Sequence, residues 1–331
     1  MSRFRPKKWL FDSVSRCLAR IDEPFYTPVN GLANAIILLR HPERVTHPGT
    51  LHPDKTFYVI RDLPPTAGLA SWLDRVAGYC LRARRKGWTP VVVPNPPAQP
   101  DSGVWYDFFK EVGGVSAEEA LRGMNVVNAT TLGAIHKRYS RRNIRRRHEI
   151  YAGIELSDRA KSFVDARLPA LLEGIRTPAV AVRYRGTDYR AKGRWRPVGH
   201  ATVPEMDDFI SIVEKDLAKW NLSAENGDNI FFMTEEQEAL DAFLRRFPAC
   251  RYVRRERFVN FDYAKPGLLY LCYQHLPNTS PMENDMNYLL EMLALARCDY
   301  LIGGYNGGVL AACNFNGNRY KGVHILKTGV S

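Results

Sequence analysis

The apolar positions of this chain switch between two spacings, and the switching lays out its elements in order. Thr56 to Asp62 (TFYVIRD) is a short continuous apolar run closed by the turn LPPTAGLA, the pattern of a buried strand. In SWLDRVAGYCLRARRKG, Trp72, Leu73, Val76 and Cys80 recur at helical spacing until Gly87 stops the helix. Thr89 to Pro94 (TPVVVP) is the next strand, so the three segments predict a βαβ unit.

A Pro-rich loop (PNPPAQPDSG) follows, then an aromatic cluster in VWYDFFKEV that opens a short helix, then a strongly basic helix over Ile135 to Ile150. After a helix near Leu171 to Glu173, PAVAVRYRG begins with the continuous apolar run of a central parallel strand buried on both faces. The same alternation recurs through a helix over Val203 to Lys219, a strand over Asn229 to Thr234 and a helix over Gln237 to Arg246. A short strand RYVRR, a helix over Met286 to Arg297, a strand over Asp299 to Gly304 and a helix from near Gly308 complete it. Strands alternating with helices predict the α/β class with open, mostly parallel sheets. A chain of 331 residues exceeds the roughly 250–300 residues that one core usually serves, which predicts two such halves, divided here into residues 1–160 and 161–331.

Composition narrows the class of partner. With 45% hydrophobic, 25% charged and 11% aromatic residues the chain is globular. Its net charge of +12 points to an anionic partner, whether nucleic acid, a membrane surface or a phosphorylated small molecule. The six cysteines show no C-x-x-C spacing and most lie in apolar surroundings, so they read as reduced, buried small hydrophobes. No stretch approaches the roughly 18–20 apolar residues of a membrane span, and the start lacks the apolar run of a signal peptide, so a cytoplasmic location is expected. Leu10, Val14, Cys17 and Ile21 share one helical face beside the basic start RFRPKK. That face either docks on the protein or lies peripherally on an anionic membrane. The basic helix over Ile135 to Ile150 likewise has two readings, a solvated face or an electrostatic funnel for an anionic ligand.

In open α/β sheets ligands collect at the carboxyl ends of the strands. Three strand ends in the second half carry polar or glycine-rich residues: Arg183, Arg185, Thr187 and Asp188; Thr234, Glu235 and Glu236; and Gly303, Gly304, Tyr305, Asn306, Gly307 and Gly308. An arginine offers a phosphate two parallel charge-assisted hydrogen bonds and stays charged. Glycines admit close backbone approach, and the helix N-terminus that follows favours an anion. The hydroxyl and carboxylates at the second strand end suit ribose or base recognition. Together they describe a nucleotide-diphosphate cleft. Each residue also has a purely structural role open to it. Arg185 can pair with Asp188 or Glu205, Asp188 can orient that arginine or cap a turn, Glu235 and Glu236 can charge a helix N-terminus, Glu291 can face outward, and His200 can be a loop histidine.

On these residues the chain resembles the fucosyltransferase-like glycosyltransferase superfamily, which includes α1,2-, α1,6- and protein O-fucosyltransferases and bacterial polysaccharide enzymes. The superfamily's first motif, an apolar strand then H-x-R-[RG]-[TG]-D, is similar to VRYRGTDY (Val182 to Tyr189). Arg185 falls on the arginine used on the donor β-phosphate, and Arg183 stands where histidine is usual. The second, T-D-D after a strand, resembles FFMTEEQEAL through Thr234, Glu235 and Glu236. The third, D-x-x-x-L-S-x-[AC]-D-[FY]-L and a small-residue turn, resembles LEMLALARCDYLIGGYNGGVLAA, with Glu291 for aspartate and Asn306 for serine. A G-[LF]-G-[ND] turn is echoed by Gly68, Leu69, Ala70 and Ser71. The motifs span residues 178–315, with weaker similarity back to residue 56.

The resemblance implies a GT-B fold of two Rossmann-like domains, an N-terminal acceptor side and a C-terminal donor side. It implies inverting transfer without a metal or other cofactor, from a nucleotide-sugar donor (commonly GDP-fucose) to a glycan or lipid-linked acceptor in polysaccharide biosynthesis. The donor-side residues are Arg183, Arg185, Thr187, Asp188, His200, Thr234, Glu235, Glu236, Glu291, Tyr305, Asn306, Gly307 and Gly308, with Arg185 and Asp188 in the catalytic positions. The competing class is a non-catalytic basic module that grips nucleic acid or anionic membrane through Arg141 to Arg147. No helix-turn-helix, zinc-finger or aromatic RNP pattern supports nucleic acid. Neither G-x-G-x-x-G after the first strand nor G-x-x-x-x-G-K-[ST] is present, which excludes the usual dehydrogenase and NTPase fingerprints.

Overall fold

The structure, a computed structural model, describes residues 38–65, 67–97, 101–129, 141–190, 203–223, 225–261 and 276–326, together with 32, 35 and 36. The N-terminal amphipathic face, Cys17, Cys272 and His200 lie outside the described residues.

Each half contributes one four-stranded sheet. In the first, the order is β1 (Val45–Thr46), β4 (Gly123–Asn128), β2 (Leu51–Ile60), β3 (Thr89–Val92). β2 runs parallel to both neighbours, and β1 is the antiparallel edge. The run Phe57 to Ile60 is fully buried because alternate side chains serve two faces. Phe57 and Val59 pack with Val91 and Val126, while Tyr58 and Ile60 pack with Leu73, Val76 and Tyr79 of helix α1 (Leu69–Lys86). Gly87 ends α1 in the left-handed conformation at φ 69°.

The second sheet is all parallel, in the order β6 (Ile230–Met233), β5 (Val180–Arg183), β7 (Tyr300–Gly304), β8 (Gly322–Leu326). Val180 and Val182 face Phe209 and Val213 of the helix Met206–Lys219, and Ala181 shares the other cluster with Leu289 of the helix Pro281–Leu295. Continuous apolar strands thus have helices on both sides, as parallel sheets require. The α/β class and the open, mostly parallel sheets expected from the sequence are present.

The helices between the sheets share one core. Buried residues of α1, of the helix Arg141–Tyr151 (Ile144, Tyr151) and of the helices Pro281–Leu295 and Gly307–Asn316 (Leu289, Val309, Cys313) form a single cluster. The basic helix is therefore more than a solvated face. Arg147 is buried within it and donates to the Asp74 carboxylate at 2.6 Å and to the Asp74 carbonyl at 2.9 Å.

Three expectations need correction. β2 begins at Leu51 rather than Thr56, with a register irregularity between the two, and β4 was not anticipated because GMNVVN has no long apolar run. RYVRR forms only a single parallel bridge, Arg251 to Phe231; Arg255 and Arg257 then donate to the Thr234 carbonyl, and the chain pairs again only at Phe258, with Glu236. The helix expected from Met286 starts at Pro281, where the Ser280 hydroxyl accepts the Glu283 N–H (3.2 Å). Cys80, Cys250, Cys298 and Cys313 are free, buried thiols, as expected. Among the described residues no helix is long and apolar enough to cross a membrane.

Candidate active site

Register brings the three strand ends side by side. Arg183, the last residue of β5, pairs with Met233 on one side and Gly303 on the other. The residues that follow each strand therefore emerge at one edge of the sheet, its carboxyl edge.

Glu235 is the electrostatic centre of that edge. Arg183 Nη2 donates to Glu235 Oε1, and neither side chain has any exposure. Arg185 Nη1 reaches the same oxygen at 3.4 Å, with its guanidinium 4.8 Å from the Tyr189 ring centroid. Burial raises the Glu235 carboxyl, but the charges of Arg183, then Arg185 and Arg255, outweigh it and hold the group below the ordinary glutamate range. Burial likewise lowers Arg183, and the Glu235 charge more than restores it. Glu235 is thus an ionised carboxylate shared by two arginines. Of these, Arg185 alone keeps side-chain exposure, at 12%.

Glu236 fastens the turn that carries Arg185. It is buried, and its Oε1 accepts the Thr187 N–H at 2.6 Å. Thr187 sits at φ +47°, a left-handed conformation that disfavours a β-branched residue. Gly186 makes the approach feasible, since a Cβ there would lie 2.1 Å from Glu236 Oε2. Gly186→Ala must push Glu236 off the Thr187 N–H. We expect a stability loss of about 1–3 kcal/mol for the orphaned donor with weakened anion binding, measurable by denaturation and by calorimetric titration with GDP. Thr234 is fully buried; its hydroxyl accepts the Glu236 N–H (3.3 Å) and its carbonyl accepts from Arg255 (3.3 Å) and Arg257 (3.1 Å).

The third strand end opens helix α10 (Gly307–Asn316), where α2–α9 are the helices Trp105–Phe108, Ala117–Leu121, Arg141–Tyr151, Asp158–Asp165, Leu168–Leu172, Met206–Lys219, Gln237–Arg246 and Pro281–Leu295 in chain order. Asn306 caps α10 by accepting the Val309 N–H at 3.1 Å and ties the turn by donating to the Gly304 carbonyl at 2.9 Å. Gly307 is exposed, and a Cβ on it would lie 3.3 Å from the Cβ of Ala70. Ala70 belongs to the first turn of α1, so the N-terminal turns of α1 and α10 are in contact. Neither carries an acidic residue in its first turn. Both helix ends therefore present their positive poles where Arg185 emerges. A Cβ on Gly308 would lie 2.8 Å from the Tyr288 hydroxyl, and the Tyr288 ring is 5.8 Å from the Arg183 guanidinium. Tyr305 is half-buried and donates its N–H to the Leu326 carbonyl (3.1 Å).

Glu291 is fully buried on α9, not outward-facing. It accepts two hydrogen bonds from Arg255, at 3.0 and 3.1 Å, and lies 3.9 Å from Arg257. Asn284, one face along α9, also accepts from Arg255 (3.1 Å). Burial, then the neighbouring Arg255, lowers the Arg257 guanidinium to about 10, so it remains charged at neutral pH. Sequence reasoning missed Arg255, Arg257, Asn284 and Tyr288. The signal for them was the RRER run beside a helix with Asn284 and Glu291 seven residues apart. Asp188 lies in the 3-10 turn Thr187–Arg190, and Glu205 is paired with Arg190 (2.5 Å) rather than with Arg185.

Compared by sequence, the chain matches no protein-family model and no curated protein. Compared by structure, it is similar to NodZ alpha-1,6-fucosyltransferase co-crystallized with GDP and soaked with GDP-fucose. Identity is 15% to both over 78% of this chain and 91% of each of those chains, with TM-scores of 0.46 and 0.47. It is also similar to POFUT1 in complex with GDP-fucose, at 9% identity over 83% of this chain and 74% of that chain, with a TM-score of 0.36.

Proposed function

We propose that this chain is a glycosyltransferase, fucosyltransferase-like, that moves a sugar from a nucleotide-diphosphate donor, GDP-fucose in the first instance, to a glycan or lipid-linked hydroxyl with inversion and without a metal. One observation carries the reading. Arg185 reaches solvent from a rigid, buried ionic base, beside a glycine turn and two helix N-terminal turns at the carboxyl edge of a parallel sheet. These are the groups that a pyrophosphate requires.

In the proposed reaction an acceptor hydroxyl attacks the anomeric carbon while the nucleoside diphosphate leaves. Negative charge grows on the β-phosphate, where Arg185 and the N–H groups at the start of α10 stabilise it. Glu235 sets the position of Arg185, Glu236 holds its turn, and Glu291 with Thr234 anchors Arg255 and Arg257. On this account Thr234, Glu235, Glu236 and Glu291 frame the donor site rather than touch the nucleotide, and Gly307, Gly308 and Asn306 shape its phosphate wall. Asp188 and His200 keep donor-side roles, and the chain acts in the cytoplasm on a glycan or lipid-linked acceptor.

A thermal-shift panel of GDP-, UDP-, dTDP- and CMP-sugars tests the reading. A donor at 100 times its dissociation constant stabilises the fold by about 2.7 kcal/mol, and GDP-fucose is expected to give the largest shift. A flat response to all four overturns it.

A further inference from the structure

Tyr288 stands on α9 with its ring buried and its hydroxyl unclaimed. The residue is 6% exposed, and its ring centroid lies 5.8 Å from the Arg183 guanidinium. A buried tyrosine usually finds a partner for its hydroxyl. Among the described residues the Tyr288 hydroxyl makes no hydrogen bond. Nor is it one of the unpaired interior atoms sealed from solvent, as the hydroxyls of Tyr151 and Tyr305 are, so its oxygen keeps contact with solvent.

That oxygen is aimed at the first turn of α10. A Cβ on Gly308 would stand 2.8 Å from it, so any side chain at this position would displace it. The first N–H groups of a helix have no partner within the helix. Here the Asn306 side chain accepts that of Val309 at 3.1 Å, and the Asn306 carbonyl accepts that of Leu310 at 3.1 Å. The N–H groups of Gly307 and Gly308 have no acceptor among the described residues. Two backbone donors and one hydroxyl thus meet at the positive pole of a helix of ten residues.

The charges around Tyr288 suit the same ligand. Burial raises its hydroxyl above the ordinary tyrosine range, and Arg183, then Arg185, pull it down by less, so it stays protonated and able to donate. Glu235 and Glu291 also act on it, but Glu235 is neutralised by Arg183 and Arg185, and Glu291 by Arg255. Arg183 has no exposure and is bound to Glu235, so it has no free edge to offer a ligand. A sugar or a base brings donors as well as acceptors, whereas phosphate oxygens are strong acceptors, and a set made only of donors selects them.

We infer that the Tyr288 hydroxyl is a direct donor to the β-phosphate, an assignment that rests on the glycosyltransferase reading above. It acts alongside the Gly307 and Gly308 N–H groups, while Arg185 approaches from the end of β5. No hydrogen bond within the protein has to break for the phosphate to take this hydroxyl.

The test titrates GDP and GMP calorimetrically into the full chain as wild type and as Tyr288→Phe, with a melting curve for each protein. Phenylalanine keeps the ring beside Arg183 and removes only the oxygen. GDP affinity is expected to fall ~10-fold or more, the worth of one hydrogen bond to a charged group. GMP, which lacks the β-phosphate, is expected to bind both proteins alike. Since the hydroxyl has no partner to orphan, the variant should melt no lower than wild type in the absence of nucleotide. Equal GDP affinity in the two proteins overturns the assignment while leaving the donor site standing. An equal loss for GMP does the same, because it would set the hydroxyl against another part of the nucleotide, and so does a variant that melts well below wild type, because it would give the hydroxyl a structural role. A wild type that does not bind GDP overturns both the assignment and the donor site.

Discussion

Arg185→Ala is expected to lower turnover by ~10²–10³-fold, the range for loss of one preorganised donor to a developing negative charge. The expectation follows from where Arg185 stands. Its partner Glu235 remains neutralised by Arg183 when Arg185 is removed, so the buried ionic base survives. Its side chain, 12% exposed, stands at the strand ends and packs on the Tyr189 ring rather than in the apolar clusters of the core, so truncation removes few apolar contacts. Activity should therefore fall with little change in melting temperature. Arg185→Lys retains the charge but loses the planar two-bond geometry, and it should lie between wild type and alanine. Steady-state release of GDP from GDP-fucose, beside a melting curve for each variant, separates these effects. A large drop in melting temperature with unchanged turnover per folded molecule would reverse the roles assigned to the two arginines.

Glu235→Gln is expected to act in the opposite order, on stability first. Its carboxylate has no exposure and compensates Arg183, which also has none. Removing one partner of a buried ion pair leaves an uncompensated charge, at a cost of about 3–5 kcal/mol, readable in urea denaturation. The same pair gives a pH signature. The folded carboxyl lies below its unfolded value of about 4.3, so its contribution is present above that pH and lost as pH falls through the lower folded value. Wild type should lose stability below about pH 4 more steeply than Glu235→Gln. Equal stability of the two proteins at pH 7 would show that the pair is not the anchor of the strand end.

The contrast between these two variants marks what the sequence alone could convey. The central strands were legible because VAVR and IFFM are continuous apolar runs and both faces of their sheet are covered. The edge elements were not, since β4 owes its place to its pairing with β2 and not to a strong pattern of its own. The start of α9 was written in Ser280, Pro281 and Glu283, a capping signature overlooked in favour of the later apolar spacing.

At the site, the convergence of three strand ends was readable because parallel α/β topology places all carboxyl ends on one edge. The division of labour among the residues there was not. Thr234, Glu235 and Glu236 look from sequence like ligand-facing groups, and burial turns them inward to Arg183, Arg185, Arg255, Arg257 and Thr187. Ala70 joins the edge only because α1 and α10 pack together, a contact that no local pattern announces.

Calorimetric titration of GDP-fucose into wild type and Arg185→Ala at pH 7 addresses the donor site most directly. One saturable site on the wild type, with affinity lost in the folded variant, is the predicted result. Equal affinity in the two proteins, or no binding to the wild type, would contradict the placement of the donor pyrophosphate on Arg185.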